Sequence, residues 1–304
     1  MGEVKLMLAG LAMVLLAACG NDQNNEANTE SGNEDDIFIT TSFSILADVI
    51  EGILGDSGEV DYLVPIGEEP HEYEPVPSDF RKVSDSSVFY TNGLGLEEWL
   101  ERLVENTGDT PVESLSEGVT EIPLEGESGA DPHAWLDPGN MEIYAENLLA
   151  DLSQRFPDYE EKFEANAEAY IQEINELDEW INEQVEAIPE DNRIIVVSEN
   201  AFKYFGEAYG FETAGIWEIN SGEEGTSGQI NAVIDLVRDQ DVPGLFVETT
   251  VDRRYMETVS ENTGVDIAGE VYTDAVGMDG SGAETYVEMM RHNTEVFVDG
   301  LVNE

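Results

Sequence analysis

From Pro157 to Pro189 the chain runs without an internal proline or glycine, and Phe163, Ala167, Tyr170, Ile174, Leu177 and Ile181 recur at three- or four-residue intervals. That spacing gathers the apolar side chains on one stripe of an α-helix, and the two prolines mark its ends. One amphipathic helix over 157–189 is therefore expected. Its stripe is short for a coiled-coil seam and no other stretch supplies a matching heptad partner, so it reads as a connector. A connector of this kind is stiff, which favours ligand exchange by small loop movements over large hinge closure.

On both sides of this helix, short β-rich runs alternate with helical ones. Before it come "IFITTS", "VDYLVPI" and "SVFYTNG", interleaved with "ILADVIEGILGD" and "GLEEWLERLVEN". After it come "RIIVVS", "TAGIWEI", "GLFVET" and "IAGEVYTD", interleaved with "AFKYFGEAYG", "QINAVIDLVRDQ" and "RYMETVSENTG". Alternation of this kind predicts an α/β fold with two lobes, 37–156 and 190–304, each a mostly parallel sheet flanked by helices.

Ahead of residue 37 the pattern is different. Lys5 precedes an apolar run from Leu6 to Ala18, shorter than the roughly 20 residues that span a bilayer, and the run ends in small residues before Cys19. Leu16-Ala17-Ala18-Cys19 resembles a bacterial lipobox, which implies that 1–18 is a lipoprotein signal peptide and that Cys19 carries a lipid. The cysteine has no second one to pair with, so the fold stands on its core. Residues 19–36 are polar and acidic with hardly an aliphatic side chain, and are expected to form a flexible tether.

The charge is extreme: 68 acidic against 12 basic residues, a net −56. General affinity for nucleic acid or anionic lipid is excluded by that sign. No single site needs so many carboxylates, and a surface rich in them suits a saline, halophilic setting.

In open α/β sheets ligands sit beyond the carboxyl ends of the strands. Four side chains fall there: His71 in "EEPHEYEP", His133 in "DPHAWLDP", Glu199 after "RIIVVS" and Asp274 after "AGEVYT". Singly, each has an ordinary explanation as a solvated loop histidine, a helix-start carboxylate or a turn residue. Together, two imidazoles and two carboxylates form a shell whose charge of −2 would neutralise a divalent cation. Pro70, Pro75, Pro132 and Pro138 stiffen both histidine loops.

With "PHEYEP", "DPHAWLDP", "SENAFKYF", "IWEINSGEEGTSGQI", "LFVETTVDRRYMETVSENTGV" and "YTDAVG" in one order, the chain resembles the solute-binding lipoproteins of ABC importers for manganese and zinc. The resemblance runs from the lipobox to the last helix. It implies two lobes joined by one long rigid helix, and His71, His133, Glu199 and Asp274 as the metal ligands. It further implies a monomer, lipid-anchored on the extracytoplasmic face of the cell membrane, that delivers its ion to an ABC importer permease and its ATPase.

Zinc receptors of this family favour histidine at the third ligand position and often carry a histidine-rich acidic loop. This chain has Glu199 there and no histidine between His71 and His133. Both departures point to Mn2+ as the transported ligand, with Zn2+ and Fe2+ as alternatives. A carboxylate hardens the site, yet intrinsic affinities still favour zinc, so selectivity must come from geometry.

His292 lies away from every motif, on an ordinary helix face, while Glu248 and Arg253 resemble a structural strand end. Trp135 is expected to pack in the core beneath His133. A metal-dependent hydrolase is the competing class, but a catalytic metal keeps an open position. HExxH, the G-x-S-x-G elbow and a phosphate-binding glycine loop are all missing, so no catalytic residue is assigned. A surface-adhesin role follows from no residue.

Overall fold

The computed structural model describes residues 37–104, 107–126, 128–220 and 225–302. The expected signal segment 1–18, Cys19 and the tether 19–36 lie outside these residues.

Strand β1 (Ile37–Thr41) is a β-branched, almost wholly buried run at the centre of the first lobe. It pairs in parallel with β2 (Gly58–Tyr62) and β3 (Val88–Thr91), and β3 pairs in parallel with β4 (Val112–Ser114), giving the order β2-β1-β3-β4. Between β1 and β2 runs α1 (Ser44–Leu54), buried along Ile45, Leu46, Val49, Ile50, Ile53 and Leu54. Gly55 ends it at φ 58°, in the left-handed region that glycine enters without a Cβ clash. Helix α2 (Pro77–Asp85) precedes β3.

The helix expected over "GLEEWLERLVEN" is shorter than its periodicity suggests. Among the described residues, regular helix α3 covers Leu100–Val104 and begins five residues later than the run does. Upstream, Leu94 and Gly95 take positive φ, and Glu97 turns inward instead of lying on a helix face. Its carboxylate accepts the Asn92 N–H at 2.7 Å, the Gly93 N–H at 3.1 Å and the Ser42 hydroxyl at 2.7 Å. Satisfying these buried donors outweighs helix propensity.

Helix α4 (Pro138–Arg155) starts where "DPHAWLDP" ends: Asp137 caps it by accepting the Gly139 N–H, with Pro138 in the first turn. A 3-10 turn at Pro157–Tyr159 leads into α5 (Glu160–Val185), 26 residues and about 39 Å long. Its buried stripe is Phe163, Ala167, Tyr170, Ile174, Leu177, Ile181 and Val185. Helix α5 packs on α1 and α4 and on the last helix, α9 (Tyr286–Leu301). Truncating Leu177 to alanine in that seam would cost about 2–5 kcal/mol.

The second lobe contains β5 (Ile194–Glu199) paired in parallel with β6 (Glu212–Trp217), and β7 (Leu245–Glu248) paired in parallel with β8 (Ile267–Val271). Helices α6 (Lys203–Tyr209), α7 (Ser227–Asp239) and α8 (Arg254–Thr263) connect them. The strands form two ladders and not one sheet. At the seam, the Glu248 carboxylate accepts the N–H groups of Ser198 and Glu199 at 2.8 and 2.7 Å, in place of a backbone ladder.

One hydrophobic core runs through both lobes, from Ile39 and Phe89 across Trp135 and the α5 stripe to Val197, Phe205 and Phe297. Hydrogen bonds cross with it: Trp135 Nε1 to the Thr273 carbonyl, 2.8 Å; Tyr286 hydroxyl to the Trp135 carbonyl, 2.7 Å; Val276 N–H to Ser44 Oγ, 3.1 Å.

Candidate metal centre

Each of the four sequence-selected residues is set by a different segment. His71 sits in the loop after β2, where the Pro70 carbonyl accepts Trp99 Nε1 at 2.9 Å. His133 opens the 3-10 turn Ala134–Leu136, after Pro132, whose carbonyl accepts Asn92 Nδ2 at 3.0 Å. Glu199 is the last residue of β5, and Asp274 follows β8.

The fold brings the four together. His71 Nε2 lies 3.3 Å from His133 Nε2 and 3.6 Å from Glu199 Oε1. His133 Nε2 lies 3.9 Å from Glu199 Oε1 and 3.5 Å from Asp274 Oδ1. Donor atoms about 2.1 Å from a common ion stand roughly 3.0–3.5 Å apart, and none of these four separations exceeds that range by more than about 0.5 Å. All four residues are buried, at 7, 0, 1 and 1 % exposure in sequence order.

Among the described residues, buried Asp274 Oδ1 has no hydrogen-bond partner and faces His133 Nε2 at 3.5 Å, whereas Oδ2 accepts the hydroxyls of Thr273 and Thr250 at 2.5 and 3.2 Å. An unpartnered carboxylate oxygen facing imidazole nitrogen is what a cation ligand requires and what a packed core avoids. The donor set therefore fits a divalent ion.

Supporting groups surround the cluster. Asp131 Oδ1 accepts both the backbone N–H and Nδ1–H of His133 at 2.9 Å, which directs Nε2 at the cluster. Lys203 lies 3.5 Å from Asp131 Oδ2 and also pairs with Glu218. Trp135 is fully buried with its ring edge-on to His133, 5.2 Å between centroids. Asn220 donates its backbone N–H to Glu199 Oε1 at 2.9 Å and its amide to Glu199 Oε2 at 2.8 Å. Glu69 Oε1 comes within 3.9 Å of His71 Nε2. Asp131, Asn220 and Glu69 all stand inside the quoted motifs or beside them, but nothing in their spacing separates them from neighbouring surface residues.

Burial dominates the protonation of the cluster. Loss of solvent pushes the His71 imidazole down to about 4, helped by nearby His133. Burial would lower His133 too, but the Asp131 carboxylate, with Asp274 and Glu199, holds it well above its ordinary value. Burial raises Glu199 and Glu69. Asp274 resists the same burial because His133 holds its charged form, so its carboxyl stays below the usual range. A cation entering here would displace the proton on His133.

His292 stands apart from the cluster, with Nε2 2.9 Å from the Glu270 carbonyl and its ring edge-on to Tyr272. Arg253 pairs with Glu257 on the surface.

Residues 39–300 match the family described as zinc-uptake complex component A, periplasmic. The manganese-binding lipoprotein MntA of Halalkalibacterium halodurans is 58% identical over 291 residues, 96% of each chain. The iron ABC transporter substrate-binding lipoprotein MtsA of Streptococcus pyogenes is 38% identical over 99% of each. The Mn-bound periplasmic metal binding protein of Candidatus Liberibacter asiaticus has a similar structure, with TM-score 0.81 and 27% identity; the match covers 88% of this chain and all of that one.

Proposed function

Because the chain belongs to the family of the periplasmic component A of zinc-uptake complexes, we propose that it captures one divalent transition-metal ion, Mn(II), and hands it to an ABC importer. The observation that carries this reading is the buried meeting of His71, His133, Glu199 and Asp274, with Asp274 Oδ1 left without a hydrogen-bond partner among the described residues.

In this reading the four side chains are the ligands. His71 and His133 give neutral imidazole nitrogens from one lobe, and Glu199 and Asp274 give oxygens from the other. Asp131 holds His133 in the correct tautomer, and Glu248 fixes the end of β5 that presents Glu199. Two hard carboxylates favour manganese in kind, and the rigid core beneath the site supports a geometry that intrinsic affinity alone would not select. The relatives named for manganese support the choice of ion, and the one named for iron makes ferrous iron its rival.

The resulting role is a receptor and not a hydrolase, since four buried protein ligands leave little room for substrate at the ion. The lipoprotein names of the relatives support a lipid on Cys19 that holds the chain at the extracytoplasmic face. The proposed organisation is a signal at 1–18, a tether at 19–36 and lobes at 37–156 and 190–304 around the segment 157–189.

Titration of the metal-free chain tests the proposal. Wild type is expected to bind one Mn(II) per chain, Glu199→Ala and Asp274→Ala to lose it at least a hundredfold, about 2.8 kcal/mol, and His292→Ala to match wild type. No saturable binding in wild type overturns the proposal. Anaerobic competition among Mn(II), Zn(II) and Fe(II) decides which ion the site prefers.

A further inference from the structure

Two carboxylates of the cluster and its edge, Glu199 and Glu69, come from opposite lobes, and one side chain joins them. Asn220 Nδ2 donates one N–H to Glu199 Oε2 at 2.8 Å and the other to Glu69 Oε2 at 2.7 Å. Glu69 stands in the loop before His71, in the first lobe; Asn220 follows β6, in the second. A primary amide offers two donors on one nitrogen and suits two acceptors. Aspartate there would repel both carboxylates, and lysine would set a competing cation beside the site.

Glu69 is not placed like the four ligands. Both its oxygens already accept N–H groups, Oε1 from the His71 backbone at 3.2 Å and Oε2 from Asn220. Its side chain is 18% exposed, against 3% for His71 and 1% for Glu199. It lies at the rim. Beside it, a cavity of about 130 Å³ reaches His71 between the lobes, lined by Leu94, Glu98 and Ala130 on one side and Ile219 and Asn220 on the other.

We propose that the Glu69–Asn220 hydrogen bond is a latch across the cleft: it holds the lobes closed over the ion and sets the rate at which the ion leaves past His71. This rests on the metal-receptor reading and adds to it positioning residues that act on release. With one core shared by both lobes, a local bond at the rim is the economical place to gate exit.

Glu69→Ala removes the latch while Asn220 keeps both of its bonds to Glu199; it also removes the acceptor of the His71 N–H, a loss that the double variant and Glu69→Gln separate from the latch. The full chain in detergent is loaded with Mn(II), mixed with excess EDTA, and release is followed by tryptophan fluorescence, which includes Trp135 beside His133. Release from Glu69→Ala should be faster by on the order of tenfold, with association little changed. Asn220→Ala should release at least as fast, and the double variant no faster than Asn220→Ala alone. Glu69→Gln, which keeps an acceptor for the amide, should recover most of the slow release.

Release from Glu69→Ala within twofold of wild type overturns the latch. So does a double variant in which the two effects multiply, since Glu69 would then act on the ion independently of Asn220. In both cases wild type still binds Mn(II); if it binds none, the receptor reading itself has failed.

Discussion

Replacing Asp131 by asparagine should weaken Mn(II) binding about tenfold while leaving the chain folded. Asp131 Oδ1 accepts two bonds from His133, at Nδ1 and at the backbone N, each 2.9 Å. An asparagine oxygen can accept both but carries no charge. Hydrogen bonds to a charged partner contribute about 1.5–3 kcal/mol and neutral ones about 0.5–1.5, so the ring bond loses about 1–1.5 kcal/mol. That is about a factor of ten in the dissociation constant. Lys203 keeps Glu218 as a partner and is not stranded. Asp131→Leu removes both bonds and should approach a hundredfold. The assay is competition against a chromophoric chelator at fixed pH and salt, with melting of the metal-free proteins measured alongside. If both variants fold and bind within twofold of wild type, the orienting role of Asp131 is wrong.

Asp48, on α1, is raised by burial from the ordinary 3.8 to about 6. Between these values the folded chain holds the proton more tightly than the unfolded one, so stability falls as pH rises through this window and the full cost persists above it. Asp48→Asn should remove that slope and stabilise the chain at pH 7 by at most about 3 kcal/mol, less for the Tyr170 bond that the carboxylate accepts; denaturant melts at pH 4 and pH 7 would read it, and an unchanged slope would refute it. Glu248→Ala leaves the Ser198 and Glu199 N–H groups buried without their acceptor and should cost about 2–6 kcal/mol, seen in the same melts. With a net charge of −56, melting temperature should climb as salt is added from millimolar towards molar; equal stability at both ends would contradict a solvation role for the charge.

Much of the fold could be read from the sequence because it rests on local periodicity. The α5 stripe named from Phe163 to Ile181 is the buried stripe, extended by Val185. The parallel strands lie where β-branched runs end in loops; Glu199 ends β5 and Asp274 follows β8 closely, whereas His71 and His133 reach the same cluster from longer loops after β2 and β4. What could not be read depends on contacts between distant segments. Glu97 and Glu98 are identical in sequence, yet only Glu97 turns inward to bind the Asn92–Gly93 backbone, which shortens α3. Asp131 sits in the quoted "DPHAWLDP", but its bond to Nδ1 follows from the 3-10 turn and not from spacing. The pairing of Glu69 with Asn220 exists only once the lobes meet.

The most direct test of the central claim is a crystal structure of the chain grown with Mn(II), with anomalous data collected at the manganese edge. One strong anomalous peak is expected, about 2.0–2.3 Å from His71 Nε2, His133 Nε2 and oxygens of Glu199 and Asp274. A peak elsewhere, or none between these four side chains at saturating Mn(II), would contradict it.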